Sequence, residues 1–299
     1  MQLPELKVDR HEGELGWWEM ASRDPSPLLA GQVLRYCGYR ERTPEPFRRL
    51  EAPFSGVVLI VSFGEPLRLV DAEGSDRLHC SFTGGLSDGP TYTEHPGSQH
   101  GIQVDLTPPA ARTLFGVPLR ELTNRVVSLE DMLGPAAGDL IGQLYDLPSW
   151  SERFAMLDRV LGRRLESGGA AAPALQAAWK RLTETRGRVE IEALARELGY
   201  SRRHFSARFG EELGLPPKTY ARVLRFEHAA ERLSRDTGAR FAAIAQDCGY
   251  YDQAHLNRDF REFAGTTPGD YVGRLLPDGG GVAATEELPF VQDPRQLAA

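Results

Sequence analysis

A diverged internal repeat near the C-terminal end constrains this chain more than any other feature. IEALARELGYSRRHFSARFGEELGLPP, residues 191–217, aligns with FAAIAQDCGYYDQAHLNRDFREFAGTTP, residues 241–268. Ile191 matches Phe241, Leu194 matches Ile244, Ala195 matches Ala245, and Gly199-Tyr200 matches Gly249-Tyr250. After one extra residue, Tyr251, the register resumes: Phe205 with Leu256, Phe209 with Phe260, Gly214 with Gly265, Pro217 with Pro268. Any fold for this region must therefore build one small unit twice.

The chemistry of each unit predicts a helix, a tight turn and a second helix. A small alanine in the first helix lets its partner cross closely. The glycine of the Gly-Tyr pair accepts a left-handed backbone without steric cost. Ser201 and Asp252 follow the turn, and each can cap the next helix through a side-chain oxygen. Phe205 with Phe209, and Leu256 with Phe260, stand four residues apart and hold that helix on the core. Cys248 reads as a small buried core residue.

The opposite face of each second helix is polar. The first unit presents Arg202, Arg203, Ser206 and Ala207, and the second presents Gln253, Ala254, Asn257, Arg258 and Arg261. Arginine can bridge two acceptors on guanine, and asparagine or glutamine can pair with adenine, so these groups suit base-edge and phosphate contacts in a major groove. A solvated helix face is the plain alternative for one unit alone, but the recurrence of buried pattern and polar face in both argues against it. His204 and His255 flank the two faces, where each suits a partly buried helix edge or a phosphate contact. Between the units, PPKTYARVLRFEHAAERL (216–233) has an apolar stripe of Tyr220, Val223, Leu224, Ala230 and Leu233, so one helix should set the spacing of the two readers.

Charge supports this division. The chain carries a net −7, which is unexpected for a partner of a polyanion. Over residues 173–275, however, 17 Lys and Arg stand against 14 Asp and Glu. That is the only net-positive segment, as contact with phosphates requires.

Residues 1–165 read as a β-rich domain with helices near its end. QVLRYCGYRE (32–41) and GVVLIVSF (56–63) are rich in β-branched and aromatic residues, and LRLVD, LHCSF and GIQVDL are shorter candidates. Gly and Pro punctuate them, which suggests an antiparallel sandwich or barrel. From Pro109 the pattern turns helical. In SWSERFAMLDRVLGRRLE, Phe154, Leu157, Leu161 and Leu165 form one stripe, suited either to packing on its own domain or to dimerisation. Residues 166–174 read as a linker, 175–275 as an all-α domain with the two repeats, and 276–299 as a poorly ordered Gly/Pro-rich tail in which Phe290 and Val291 form an apolar pair. The expected class is therefore a two-domain α+β chain.

No apolar run reaches the roughly 20 residues that span a bilayer, and the polar start is unlike a signal peptide. A cytoplasmic protein is expected. Cys37, Cys80 and Cys248 are few and scattered, which argues against a disulfide framework or a structural zinc site. His79, His95 and His100 fall among the strands, and EHPGSQH is similar to part of a cupin metal motif without its first HxH element. No GxSxG, P-loop or GxGxxG stands at a strand–helix junction, so neither catalysis nor a cofactor is expected. Arg35, Tyr36, Tyr39 and Trp17-Trp18 suit either a small-molecule pocket or the core.

On the stretches LARELGYSRRHFSARFGEELGLPPKTYARVLRF and AIAQDCGYYDQAHLNRDFREFAGTTPGDY, residues 175–275 closely resemble the DNA-binding domain of the AraC/XylS family of bacterial transcription regulators. The resemblance covers about a third of the chain. It implies a seven-helix domain whose two recognition helices read adjacent major grooves of double-stranded DNA. Carried over by position, Arg203, Ser206 and Ala207 face bases with Arg202 near the backbone. In the second unit Gln253, Ala254, Asn257 and Arg258 face bases, with His255 near a phosphate. Ala207 departs from the larger polar residue usual there, which implies fewer bases read by the first unit. The N-terminal part is similar to β-rich sensor domains of actinobacterial members. The resemblance further implies activation through RNA polymerase, a small-molecule effector and a homodimer formed by the N-terminal half. Two alternatives differ in kind: an enzyme-like or metal-binding β-domain targeted to DNA, and a constitutive DNA binder whose N-terminal domain only dimerises.

Overall fold

The computed structural model describes residues 4–70, 75–169, 171–277 and 280–284. Ten strands come first: β1 (Lys7–Gly13), β2 (Gly16–Arg23), β3 (Val33–Arg42), β4 (Phe47–Glu51), β5 (Val57–Ser62), β6 (Leu67–Val70), β7 (Asp76–His79), β8 (Phe82–Gly84), β9 (Thr91–His95) and β10 (Ser98–Leu106). Helix α1 (Pro108–Phe115), a 3-10 turn (Leu119–Leu122), β11 (Val126–Ser128) and helices α2 (Leu129–Leu133), α3 (Ala136–Asp146) and α4 (Trp150–Ser167) complete the N-terminal domain.

The strands form two antiparallel sheets, one in the order β1-β2-β3-β10-β5-β8-β11 and one in the order β4-β9-β6-β7. The runs expected at 32–41 and 56–63 are β3 and β5. LHCSF is not one strand: β7 ends at His79 and β8 begins at Phe82 in the other sheet. Its Cys-Ser pair is where the chain changes sheets. Strands β1, β2, β4, β9 and β11 lie outside the runs expected from sequence; β1, KVDRHEG, is an edge strand with no buried residue and no apolar alternation.

Alternation of side chains sends Tyr36, Leu59, Val61, Ile102 and Val104 to one face of the large sheet, where all are buried. Helix α4 covers that face with Phe154, Leu157, Leu161 and Leu165, all buried, and Phe154 stacks on Tyr36 at 5.4 Å between ring centroids. The α4 stripe is thus used inside the domain. A smaller cluster of Ile60, Leu67, Leu69 and Phe82 joins the two sheets.

Seven helices follow: α5 (Pro173–Glu184), α6 (Ile191–Glu197), α7 (Arg202–Leu213), α8 (Pro217–Arg235), α9 (Phe241–Asp247), α10 (Gln253–Ala264) and α11 (Pro268–Gly273). The apolar stripe expected on 216–233 is buried along α8, together with Phe226, His228 and Ala229.

Within the tail, residues 282–284 meet the N-terminal domain. Leu50 N donates to Val282 O (2.9 Å) and Ala284 N to Arg48 O (3.2 Å), so residues 282–284 run beside β4 of the N-terminal domain. Arg49 adds a side-chain bond to Gly280 O (2.7 Å) and pairs with the buried Glu41 at 2.5 Å. Phe290 and Val291 lie outside the described residues.

Candidate nucleic-acid interface

Both repeat units fold as the sequence dictates. Gly199 and Gly249 adopt φ of 77° and 79°, the left-handed turn only glycine takes without strain. Ser201 Oγ then accepts from His204 N (3.3 Å) and Asp252 Oδ1 from His255 N (2.8 Å), starting α7 and α10. Phe205, Phe209, Leu256 and Phe260 are fully buried. Tyr200 lies beside the His204 ring at 5.3 Å, and Tyr250 meets His255 edge-on at 5.2 Å. The two histidines hold equivalent places, though His204 is exposed and His255 half-buried. Cys248 is buried, and burial pushes its thiol pKa up.

On the faces turned from the core, Arg202, Arg203 and Ala207 are exposed on α7 and Ser206 is half-buried. On α10, Gln253, Ala254 and Arg258 are exposed, and Asn257 is half-buried with its Oδ1 unpartnered. Tyr251, the extra residue of the second unit, is 94% exposed at the start of α10. Among the described residues, Arg202, Arg203 and Arg258 make no ion pair. Their guanidiniums are therefore available to an external anion, at two places related by the repeat.

The two recognition helices are anchored differently. On α10, Asp259 is 1% exposed and Glu262 lies one turn on. Arg222 of α8 bonds both, reaching Asp259 Oδ1 at 2.7 Å and Glu262 at 2.6 and 2.8 Å. The bonds to Glu262 and Asp259 hold the Arg222 pKa up, and Arg222 holds that of Glu262 down. Phe226 of α8 packs edge-on against Phe260 (4.8 Å) and Phe263 (5.4 Å). These ionic and aromatic anchors of α10 all come from α8, while Gly265 at its end lies close to Tyr92 of β9.

On α7 the place of Asp259 is taken by Arg208, and that of Glu262 by Glu211. Glu211 pairs instead with Arg120 of the N-terminal domain (2.7 Å), and Glu212 pairs with Arg112 of α1 (2.9 Å). Thr123 Oγ1 donates to Gly214 O at the end of α7 (3.0 Å). Behind α7, Phe209 packs on Tyr220, whose hydroxyl accepts from Trp179 Nε1 (2.9 Å) and donates to Ser55 O (2.8 Å). Glu227 of α8 also faces Ser55, and burial pushes its carboxyl pKa up. The first unit is thus held from behind by the β-rich domain. Sequence reading missed Arg222, Arg112 and Arg120; the one available signal was the charge reversal between Arg208 and Asp259 at equivalent positions.

The other candidates do not converge. His95 lies 3.5 Å from Glu41, His79 sits beside Phe82, and His100 is elsewhere on the large sheet. Among the described residues, no group of three His, Cys, Asp or Glu gathers as a metal would need. Cys37 and Cys80 are free thiols. Tyr36 and Trp18 are core residues, Arg35 pairs with the buried Asp105 at 2.5 Å, and Trp17 is half-buried. No helix among the described residues is long and apolar enough to cross a membrane.

Residues 194–274 match the family described as a helix-turn-helix domain. The F1 operon positive regulatory protein of Yersinia pestis is 35% identical over 89 residues, 30% of this chain and 29% of that protein. An AraC-like transcription regulator of Streptomyces antibioticus is 34% identical over 87 residues, 29% of this chain and 28% of that protein. The matched segment thus spans under a third of either relative. Among solved structures, unsaturated fatty acid-bound ToxT of Vibrio cholerae superimposes with a TM-score of 0.49 at 12% identity, over 88% of this chain and all of that one. Residues 194–274 of this chain are a helix-turn-helix domain.

Proposed function

We propose that this chain is a sequence-specific DNA-binding transcription regulator controlled through its N-terminal domain. The observation that carries the reading is the pair of equivalent, exposed polar helix faces, whose Arg202, Arg203 and Arg258 have no carboxylate partner among the described residues. Arg203, Ser206 and Ala207 face bases in one major groove, with Arg202 on the backbone. Gln253, Ala254, Asn257 and Arg258 face bases in the next groove, with His255 at a phosphate. Two such readers on one face of DNA require sites about one helical turn apart, roughly 34 Å. Activation through RNA polymerase is the direction we favour, supported by the positive regulatory role printed for the Yersinia relative. A homodimer through the N-terminal half would use a surface other than the buried α4 stripe.

The ion pairs from Arg112 and Arg120 give control a physical route. A change in the β-rich domain moves the groups that hold α7, while α10 stays clamped to α8. Selection from a random DNA pool with the full-length protein at two salt concentrations tests the reading. Enrichment of a site with two conserved blocks one turn apart supports it. Binding that is salt-dependent but indifferent to sequence would overturn it.

A further inference from the structure

The large sheet carries a second charged surface, at the corner beside the start of α4. Strand register builds it: Arg42 lies between Trp17 and Ser98, and Arg40 lies between Glu19 and His100. These side chains share the face that α4 covers, because Gly38 in the same row abuts Trp150; a Cβ there would come within 2.3 Å of the indole. Helix α4 begins only at Trp150, so an open cleft of about 970 Å³ remains between this corner and the α3–α4 connection.

The cleft contains a cation without a counter-ion. Arg153 is 4% exposed, and among the described residues it pairs with no carboxylate. Its guanidinium bonds Leu144 O (2.9 Å) and Tyr145 O (3.3 Å) and lies 4.9 Å from the ring centroids of both Phe63 and Trp150. Its Nη1 is 3.3 Å from His100 Nε2, and Arg40 Nε donates to that same nitrogen at 3.2 Å. Two guanidiniums on one ring nitrogen require its lone pair, so His100 is neutral and carries its proton on Nδ1. Burial, then the charges of Arg40 and Arg153, push the His100 pKa down to about 4. Three acids lie nearby and none bonds Arg40 or Arg153: Glu41 is held by Arg49 and Gln99, while Glu19 offsets part of the field from a neighbouring position on β2. Glu19 is engaged by Arg10 (2.8 Å) and Trp150 Nε1 (2.9 Å), and Asp146 sits exposed at the rim. A buried charge ordinarily has an opposite charge beside it, and among the described residues Arg153 has carbonyls and rings but no carboxylate. Trp17 and Tyr145 give the cleft aromatic walls.

We propose that this cleft binds a small organic acid, its carboxylate between Arg40 and Arg153 and its flat apolar body against Trp17 and Tyr145. A bound acid joins the α3–α4 connection to the sheet, and α4 leads through residues 168–172 into the helix-turn-helix domain. That consequence rests on the regulator reading; the binding itself does not.

Full-length protein titrated with 1-naphthoate, followed by tryptophan fluorescence and calorimetry, tests the site, with 1-naphthamide as the uncharged control. One naphthoate should bind per chain, at least about tenfold tighter than the amide, since a charge-assisted bond is at stake. Arg40→Gln and Arg153→Met should each weaken it by a similar factor. If Arg153→Met does not fold, the exposed Arg40→Gln decides. Absence of saturable naphthoate binding, equal binding of the amide, or indifference to Arg40→Gln would each overturn the assignment. The same samples are then offered the selected DNA. Naphthoate binding with no selectable DNA site supports the cleft and removes the regulator reading. A DNA site without naphthoate binding removes the cleft and leaves the regulator.

Discussion

The two helix-turn-helix units share a buried pattern, a glycine turn and an oxygen cap, yet their recognition helices are fastened to different bodies. Helix α10 is fastened by Arg222 to the helix that joins the units. Helix α7 is fastened by Glu211 and Glu212 to the β-rich domain. The repeated reader is supported differently in its two copies, and the difference lies at a few charged positions such as Arg208 and Asp259. The ion pairs of α10 stay within the helical domain, while those of α7 reach the β-rich domain. The same domain also holds the far end of the helical domain, through the strand-like pairing of residues 282–284 with β4.

Removing the internal clamp should have the largest effect. Arg222→Ala leaves Asp259 buried without its partner, and loss of one member of such a pair costs about 3 kcal/mol. Denaturant unfolding of the full chain should show it, and Asp259→Asn in the same chain should recover part. An unchanged midpoint would break the contrast, because α10 would not depend on α8.

Acid should next loosen the N-terminal domain and the docked tail. Burial opposes ionisation of Glu41, but the His95 ring 3.5 Å away and the bonds from Arg49 and Gln99 outweigh it and hold the pKa down at about 2 against an ordinary 4.5. Because the folded value is depressed, this stabilisation is present above about 4.5 and is lost as pH falls through 2. The loss amounts to about 3 kcal/mol. Thermal melting between pH 7 and pH 2 checks it, and in Glu41→Gln that part of the pH dependence should vanish.

Base contacts come third. Arg203→Ala and Arg258→Ala should each lose about 1–3 kcal/mol on the selected site, whereas Arg202→Ala should weaken all sequences alike and flatten the salt dependence. Equal losses on selected and random DNA for Arg258→Ala would remove its assigned role. The smallest effect belongs to the tether. Arg120 is 66% exposed beside its partner, so Arg120→Ala should change stability by only a few tenths of a kcal/mol. Its consequence is for reading DNA rather than for folding.

Much of this was legible in the sequence, and the parts that were not share a cause. Gly199, Gly249, Ser201 and Asp252 act within four residues of their own position, so composition and spacing predict their conformation. The α8 stripe follows from helical period in the same way. Arg222, Arg112 and Arg120 look like ordinary solvated charges, because their partners lie 37, 100 and 91 positions away. The docked start of the tail is hidden for the same reason: glycine-rich sequence has no pattern of its own, and β4 supplies the bonds. The cleft at His100 needed strand register, which a sequence does not state. Across three strands it sets Glu19, Arg40 and His100 side by side.

The most direct test of the contrast measures DNA affinity in full-length chains with the tether cut by Arg112→Ala, Arg120→Ala and Thr123→Ala together. The selected site is used intact, with the Arg203-dependent block scrambled, and with the Arg258-dependent block scrambled. Cutting the tether should change discrimination at the Arg203 block by about threefold or more and leave the Arg258 block as it was. Equal changes at both blocks, or no change at either, would contradict the claim that the ion pairs from the β-rich domain act on one reader and not the other.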